Sequence, residues 1–131
     1  MPNAEVLQQM RQHDIFLFTS DKNEGWGAVA NESMANGCCL VGSDAIGSVP
    51  YLVTDGATGM IFKSCDLDSL YEKVKYLLDN PEERQRMSKA GHQRMVELWS
   101  PENDAKSLLQ LIDDLQNGRP SSILQGPCSK A

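Results

Sequence analysis

A chain of 131 residues, 40% hydrophobic and 23% charged, has the balance and length for one domain with one core. Its net charge of −6 argues against non-specific nucleic-acid binding. No apolar run approaches the roughly 20 residues of a membrane span. The opening MPNAEVLQQMRQHD lacks a basic segment followed by an apolar stretch, so no signal peptide is expected. Asn3 to His13 spaces Val6, Leu7 and Met10 along one helical face, with Asn3 placed to cap it. DIFLFTS (14–20) is a continuous apolar run, expected to be a strand buried on both faces as in a parallel sheet. DKNEG is a loop, and Ala28 to Asn36 a helix closed by Gly37 at C′. CCLVGSD (38–44) is a second buried strand, AIGSVPYLV (45–53) a loop with a helical turn, TDGATG a turn cluster, and MIF (60–62) a short strand. Helices follow over 66–78, over 80–99 with Asn80 as cap and Pro81 first, and from Ser100–Pro101 to about Gln116. The tail 118–131 is expected to be disordered. Strands alternating with helices imply an α/β fold, a partial Rossmann-like parallel sheet flanked by helices, with a helical C-terminal part.

Four cysteines, Cys38, Cys39, Cys65 and Cys128, make no CxxC pair and have no clustered histidine, so a zinc site is not expected. Cys38 and Cys39 fall in an apolar strand and are expected to be buried thiols, which fits a cytoplasmic location. His13 and His92 lie far in sequence from any base-orienting group and are read as structural or solvated.

The chemistry concentrates in SDKNEGWGAVANESMANGCCLVGSD (20–44). In open parallel sheets, ligands bind beyond the carboxyl ends of the strands, where this loop falls. Gly25 and Gly27 let the backbone approach a ligand, and the helix start after them favours an anion, most simply phosphate. Glu24 stands just before the turn, where a neutral hydroxyl is a better partner than a phosphate. Glu32 lies roughly 6 Å further along the helix axis than Ala28. The order carboxylate, phosphate-friendly turn, carboxylate matches a sugar, a diphosphate and a ribose, because a carboxylate accepts two bonds from a vicinal diol. Trp26 is either core or a platform beside the ligand. A competing assignment takes GWGAVA (25–30) as a dinucleotide fingerprint, with Asp44 on a ribose, in an NAD-binding dehydrogenase half. Against it, DKNE intervenes between strand and first glycine, and neither glutamate has a role. A third alternative is a non-catalytic remnant whose uncovered strand edge recruits a partner.

The stretch EGWGAVANESMANGCCLVGSDAIGSVP resembles the nucleotide-sugar-binding segment of GT4-family GT-B glycosyltransferases, with their E-x7-E signature in the form EGFG-xxxx-E-A-M-A-x-G. Glu24 and Glu32 stand at the two glutamate positions, Gly25, Trp26 and Gly27 at the glycine–aromatic–glycine turn, and Met34 and Gly37 complete the helix. DGATGMIF and DLDSLYEKVKYLLDNPEERQRM also resemble the family's later elements. Two features depart from the pattern. Where members often have G-G-x-P-E, this chain reads Ile46-Gly47-Ser48-Val49-Pro50-Tyr51, with Tyr51 in place of the acid after Pro50, and Asn31 precedes the second glutamate where many have an apolar residue.

The resemblance implies that residues 1–117 are the donor-binding portion of a retaining hexosyltransferase. Glu24 would touch donor-sugar hydroxyls as the catalytic-site carboxylate, and Glu32 the ribose hydroxyls. Backbone amides of Gly25, Trp26, Gly27, Ala28 and Val29 would face sugar and diphosphate. It implies a UDP- or GDP-sugar as donor, no essential metal or other cofactor, and a glycan or lipid-linked acceptor, as in surface polysaccharide assembly. The acceptor domain and the diphosphate-neutralising Arg and Lys would precede residue 1. The chain alone is therefore expected to be inactive, while the whole enzyme could associate peripherally with a membrane.

Overall fold

The computed structural model describes residues 1–129. Its elements run α1 (Asn3–Gln12), β1 (Ile15–Phe18), α2 (Val29–Ala35), β2 (Cys39–Ser43), α3 (Val49–Leu52), β3 (Met60–Phe62), α4 (Leu67–Asp79), α5 (Pro81–Glu97) and α6 (Pro101–Gln116). The chain divides into two compact units, Met1–Gln93 and a second that begins at Arg94. Among the described residues, no helix is long and apolar enough to cross a membrane.

The first unit is built on a three-stranded parallel sheet in the order β1-β2-β3, with Ile15 opposite Cys39 and Val41 opposite Met60. Each connection between neighbouring strands carries a helix, as parallel pairing demands. β2 lies between two strands and is buried at all five positions. On one of its faces Cys39 and Val41 join Met60, Phe62, Leu77 and Met87 in a core cluster, and Ile15, Leu70 and Val74 pack against it. The two-residue spacing within β2 and β3 and the helical spacing of Leu70, Val74 and Leu77 meet there, so α4 lies on the sheet by pattern alone. The helix starts where Asp66 accepts a hydrogen bond from the Ser69 amide, a cap that satisfies one otherwise unpaired donor.

Two local expectations change. Asn3 does not cap α1: the helix begins at Asn3, and Pro2 takes the N-cap position, its carbonyl accepting from the amides of Glu5 and Val6 at 3.0 and 3.3 Å. The run 14–20 is not buried on both faces: β1 is an edge strand and Leu17 stays 47% exposed. Asn80 closes α4, its Nδ2 donating to the Tyr76 carbonyl, while its own carbonyl accepts from the Arg84 amide in α5.

In the second unit Ser100 caps α6, accepting from the Asn103 amide, and Pro101 occupies the first turn. Near the other end, Asp114 is buried yet well partnered. It accepts from the Ser122 amide at 2.9 Å, the Ser122 hydroxyl at 2.7 Å, Gln110 Nε2 at 3.2 Å and Arg119 Nε at 3.3 Å. The segment after α6, where disorder is the sequence expectation, is thus fastened to the helix at Ser122; residues 130–131 of that segment lie outside the described residues.

The hydrogen bonds from Ser122, amide first and hydroxyl second, hold the Asp114 carboxyl below its ordinary value of 3.8. A lowered native value means that the unfolded chain binds the proton more readily. The contribution is therefore complete above about pH 4 and is lost as pH falls below it. Thermal melts followed by circular dichroism should show a steeper acid loss for the parent than for Asp114→Asn.

Burial acts on the thiols. It raises the Cys38 thiol, whose Sγ donates to the Met10 and His13 carbonyls, and pushes Cys39 up to about 11 despite the opposing pull of Arg84. Cys65 is exposed. A maleimide at neutral pH should label Cys65 first, with Cys38 and Cys39 reacting only on unfolding, because the thiolate is the nucleophile; peptide mass spectrometry gives the order.

Candidate functional site

Parallel strands bring the loops after β1 and β2 to one edge of the sheet, the edge formed by the strands' carboxyl ends. The first loop, 19–28, is shaped from within. Asp21 turns it, accepting from the Asn23 amide at 2.8 Å through Oδ1 and from the Glu24 amide at 3.0 Å through its carbonyl. Ser20 Oγ donates to Glu24 Oε2 at 3.2 Å, which orients that carboxylate. The loop is also shaped from outside. The Gly47 amide donates to the Gly25 carbonyl and the Ser48 amide to the Trp26 carbonyl, both at 3.1 Å, so the two loops are locked backbone to backbone.

The glycines divide by role. Gly27 has φ of +74°, and a Cβ there would lie 2.7 Å from the Phe18 ring. Gly47 is demanded by the lock itself, since a Cβ would meet the Gly25 carbonyl oxygen at 2.5 Å. Gly25 has no such internal reason: a Cβ would meet nothing within 4 Å.

After the turn α2 runs for seven residues, with Ala28 at the N-cap, no side-chain cap, and Val29 first in the helix. Two turns make a small dipole, so any anion here would depend on nearby amides more than on the macrodipole. Glu32 lies one turn in, half-buried, its amide donating to the Ala28 carbonyl. Among the described residues its carboxylate has no hydrogen-bond or ion-pair partner. The structure brings Glu24 and Gly27 into contact distance, with 3.3 Å from a Gly27 Cβ to Glu24 Cγ, and places Glu32 further along α2.

Trp26 is 41% exposed and not core. Its ring packs against Tyr51 with centroids 5.8 Å apart, and its Nε1 donates to Asn31 Oδ1 at 2.9 Å. Two of the departures noted in the sequence are therefore partners of one side chain. Asp44 is engaged elsewhere: its Oδ1 accepts from the Ser64 amide at 2.8 Å. β1 ends at Phe18, well before Gly25, which does not suit a glycine fingerprint set tight against a strand end.

Two polar residues were missed in the sequence. Ser20 has a visible signal, a hydroxyl one loop turn from Glu24. Ser48 is fully buried at the lock, and its Oγ has no hydrogen-bond partner among the described residues. Its signal was the serine in place of the second glycine of G-G-x-P-E.

A family model described as "Glycosyl transferases group 1" matches residues 1–94. The trehalose synthase of Thermococcus litoralis is 33% identical over 109 residues, covering 83% of this chain and 26% of that protein. The chain thus spans about a quarter of the length of such curated relatives. Among solved structures, the C-terminal domain of the glycosyl transferase group 1 family protein LpcC from Francisella tularensis superposes with a TM-score of 0.70 at 23% identity, over 76% of this chain and 50% of that one. Anabaena Alr3699/HepE in complex with UDP gives 0.67 at 21% identity, over 85% and 29%. At these identities the two structures establish the fold alone.

The lock sets a stability test. Gly47→Ala should cost about 1–3 kcal/mol, because the new methyl meets backbone that cannot rotate away, whereas Gly25→Ala should leave the urea midpoint nearly unchanged.

Proposed function

The chain belongs to the glycosyl transferases group 1 family, and on that premise we propose that it is the donor-binding portion of a retaining hexosyltransferase, residues 1–117. The observation that carries this is the pair of carboxylates, Glu24 and Glu32, flanking a turn whose backbone is locked in place and whose Gly25 face is open. Glu24, steadied by Ser20, accepts hydrogen bonds from donor-sugar hydroxyls. Glu32, without a protein partner, accepts from the ribose diol. Between them the amides from Gly25 to Val29 face the diphosphate. Gly25 needs no φ or packing exemption for the fold, so its missing side chain is best explained by something that approaches it from outside.

The donor is a UDP- or GDP-sugar; the complex of Anabaena Alr3699/HepE with UDP supports a nucleoside diphosphate. The acceptor is a glycan or a lipid-linked sugar, and the setting is cytoplasmic polysaccharide assembly. Catalysis in the whole enzyme rests on positioning the donor and stabilising the departing diphosphate. Glu24 is the residue of this chain that sits at the transferred sugar. On this reading the chain by itself binds donor without turning it over.

Calorimetric titration with UDP, GDP and NAD tests this. One nucleoside diphosphate should bind, with Glu32→Ala weakening it roughly tenfold through loss of a charge-assisted diol contact. Equal binding by parent and variant, or binding of NAD alone, would overturn it.

A further inference from the structure

We propose a second ligand site, at the opposite edge of the sheet, that takes the phosphate group of a small molecule or a lipid headgroup. A cavity of about 470 Å³ lies where α1, α2 and α5 converge, lined by Arg11, Ala35, Asn36, Gly37, Ser88, Lys89 and His92. These residues precede β1 and β2 or lie in α5, so the cavity faces away from the carboxyl ends that carry the glutamates.

Its walls are fixed by bonds between elements distant in sequence. Arg11 Nε donates to Asn36 Oδ1 at 2.7 Å, Ser88 Oγ to the Gly37 carbonyl at 2.5 Å, and His92 Nδ1 to the Ala35 carbonyl at 2.9 Å. A carbonyl only accepts, so Nδ1 carries the hydrogen and Nε2 is left for another partner. Asn36 Nδ2 donates to the Glu32 carbonyl at 2.8 Å. The carbonyls of Glu32, Ala35 and Gly37 near the α2 C-terminus, which would repel an anion, are thus already answered by protein donors.

Two cations remain. Among the described residues, the terminal nitrogens of Arg11 and the Lys89 ammonium have no hydrogen-bond or ion-pair partner, and His92 Nε2 is an acceptor without one. The lining holds no acid, in a chain with 18 acidic residues against 12 Lys and Arg. One cation suffices for a monocarboxylate, whereas a planar guanidinium and an ammonium around one concavity match a phosphate group, and a remaining P–OH can donate to His92 Nε2. The wall bonds pre-order the site, which lowers the entropy lost on binding.

The test is NMR of the His92 ring at fixed pH and ionic strength, titrating inorganic phosphate and pyrophosphate, with His13 as internal control. His92 should shift saturably with pyrophosphate, and Arg11→Gln or Lys89→Gln should weaken the effect roughly tenfold. Both side chains are exposed, so melting curves should show the variants folded. Co-sedimentation with vesicles containing phosphatidic acid reads the second source; binding lost in the same variants supports the site and assigns it a lipid headgroup. The proposal is overturned if His92 does not respond to phosphate, pyrophosphate or the vesicles, or if both variants respond like the parent. Glu32→Ala should leave the His92 response intact, so failure at this cavity is distinguishable from failure at the donor site.

Discussion

Two backbone hydrogen bonds hold the candidate site together: Gly47 amide to Gly25 carbonyl, and Ser48 amide to Trp26 carbonyl. Neither involves a side chain, so the shape of the turn is independent of the charges it presents. The bonds are possible only because β1 and β2 pair in parallel with Phe18 opposite Gly42, which starts both loops at the same level of the sheet. They also require Gly47, since any side chain would fill the space that the Gly25 carbonyl occupies. The fold therefore reaches the site through register, then loop contact, then the direction in which the turn faces.

The cluster around Trp26 follows from that lock. An indole at this position brings an N–H that can take a protein acceptor and a ring that gains from a neighbouring face. Asn31 supplies the acceptor and Tyr51 the face. A phenylalanine would need neither, and an acid at position 51 would give the indole no ring to stack on. Asn31 and Tyr51 are separate departures from the family pattern in sequence, but in three dimensions both contact one side chain, Trp26. The wall of the site that they form is consequently more aromatic and less acidic than the usual pattern.

Much of this was legible in the sequence because the relevant signals are local. The helical spacing of Leu70, Val74 and Leu77, the Asp66 and Ser100 caps, the prolines at 81 and 101 and the apolar run of β2 each determine a few residues of structure without knowledge of the rest. The exposure of Leu17 was not legible, because an apolar run reports that a strand is suited to burial, not whether it has a neighbour on each side. The role of Gly47 was hidden for a similar reason: it depends on the carbonyl of a residue 22 positions earlier. The buried, unpaired Ser48 hydroxyl and the Asn31–Trp26 bond are likewise pair properties, invisible to periodicity.

A net charge of −6 and two carboxylates beside the turn look unfavourable for a ligand that carries a diphosphate. Distance and geometry decide otherwise. At physiological ionic strength, exposed charges beyond about 8 Å are largely screened, so net charge alone does not decide whether the turn accepts an anion. The two near carboxylates flank the turn in sequence, Glu24 before Gly25 and Glu32 a helical turn beyond Ala28, and on the proposed reading each faces neutral hydroxyls rather than phosphate. The amides between them are dipoles whose backbone cannot swing away, because the lock removes the reorganisation that would otherwise weaken them. On the proposed reading, an acidic chain accommodates a diphosphate through a rigid turn, and the contact between the two backbones is what supplies that rigidity.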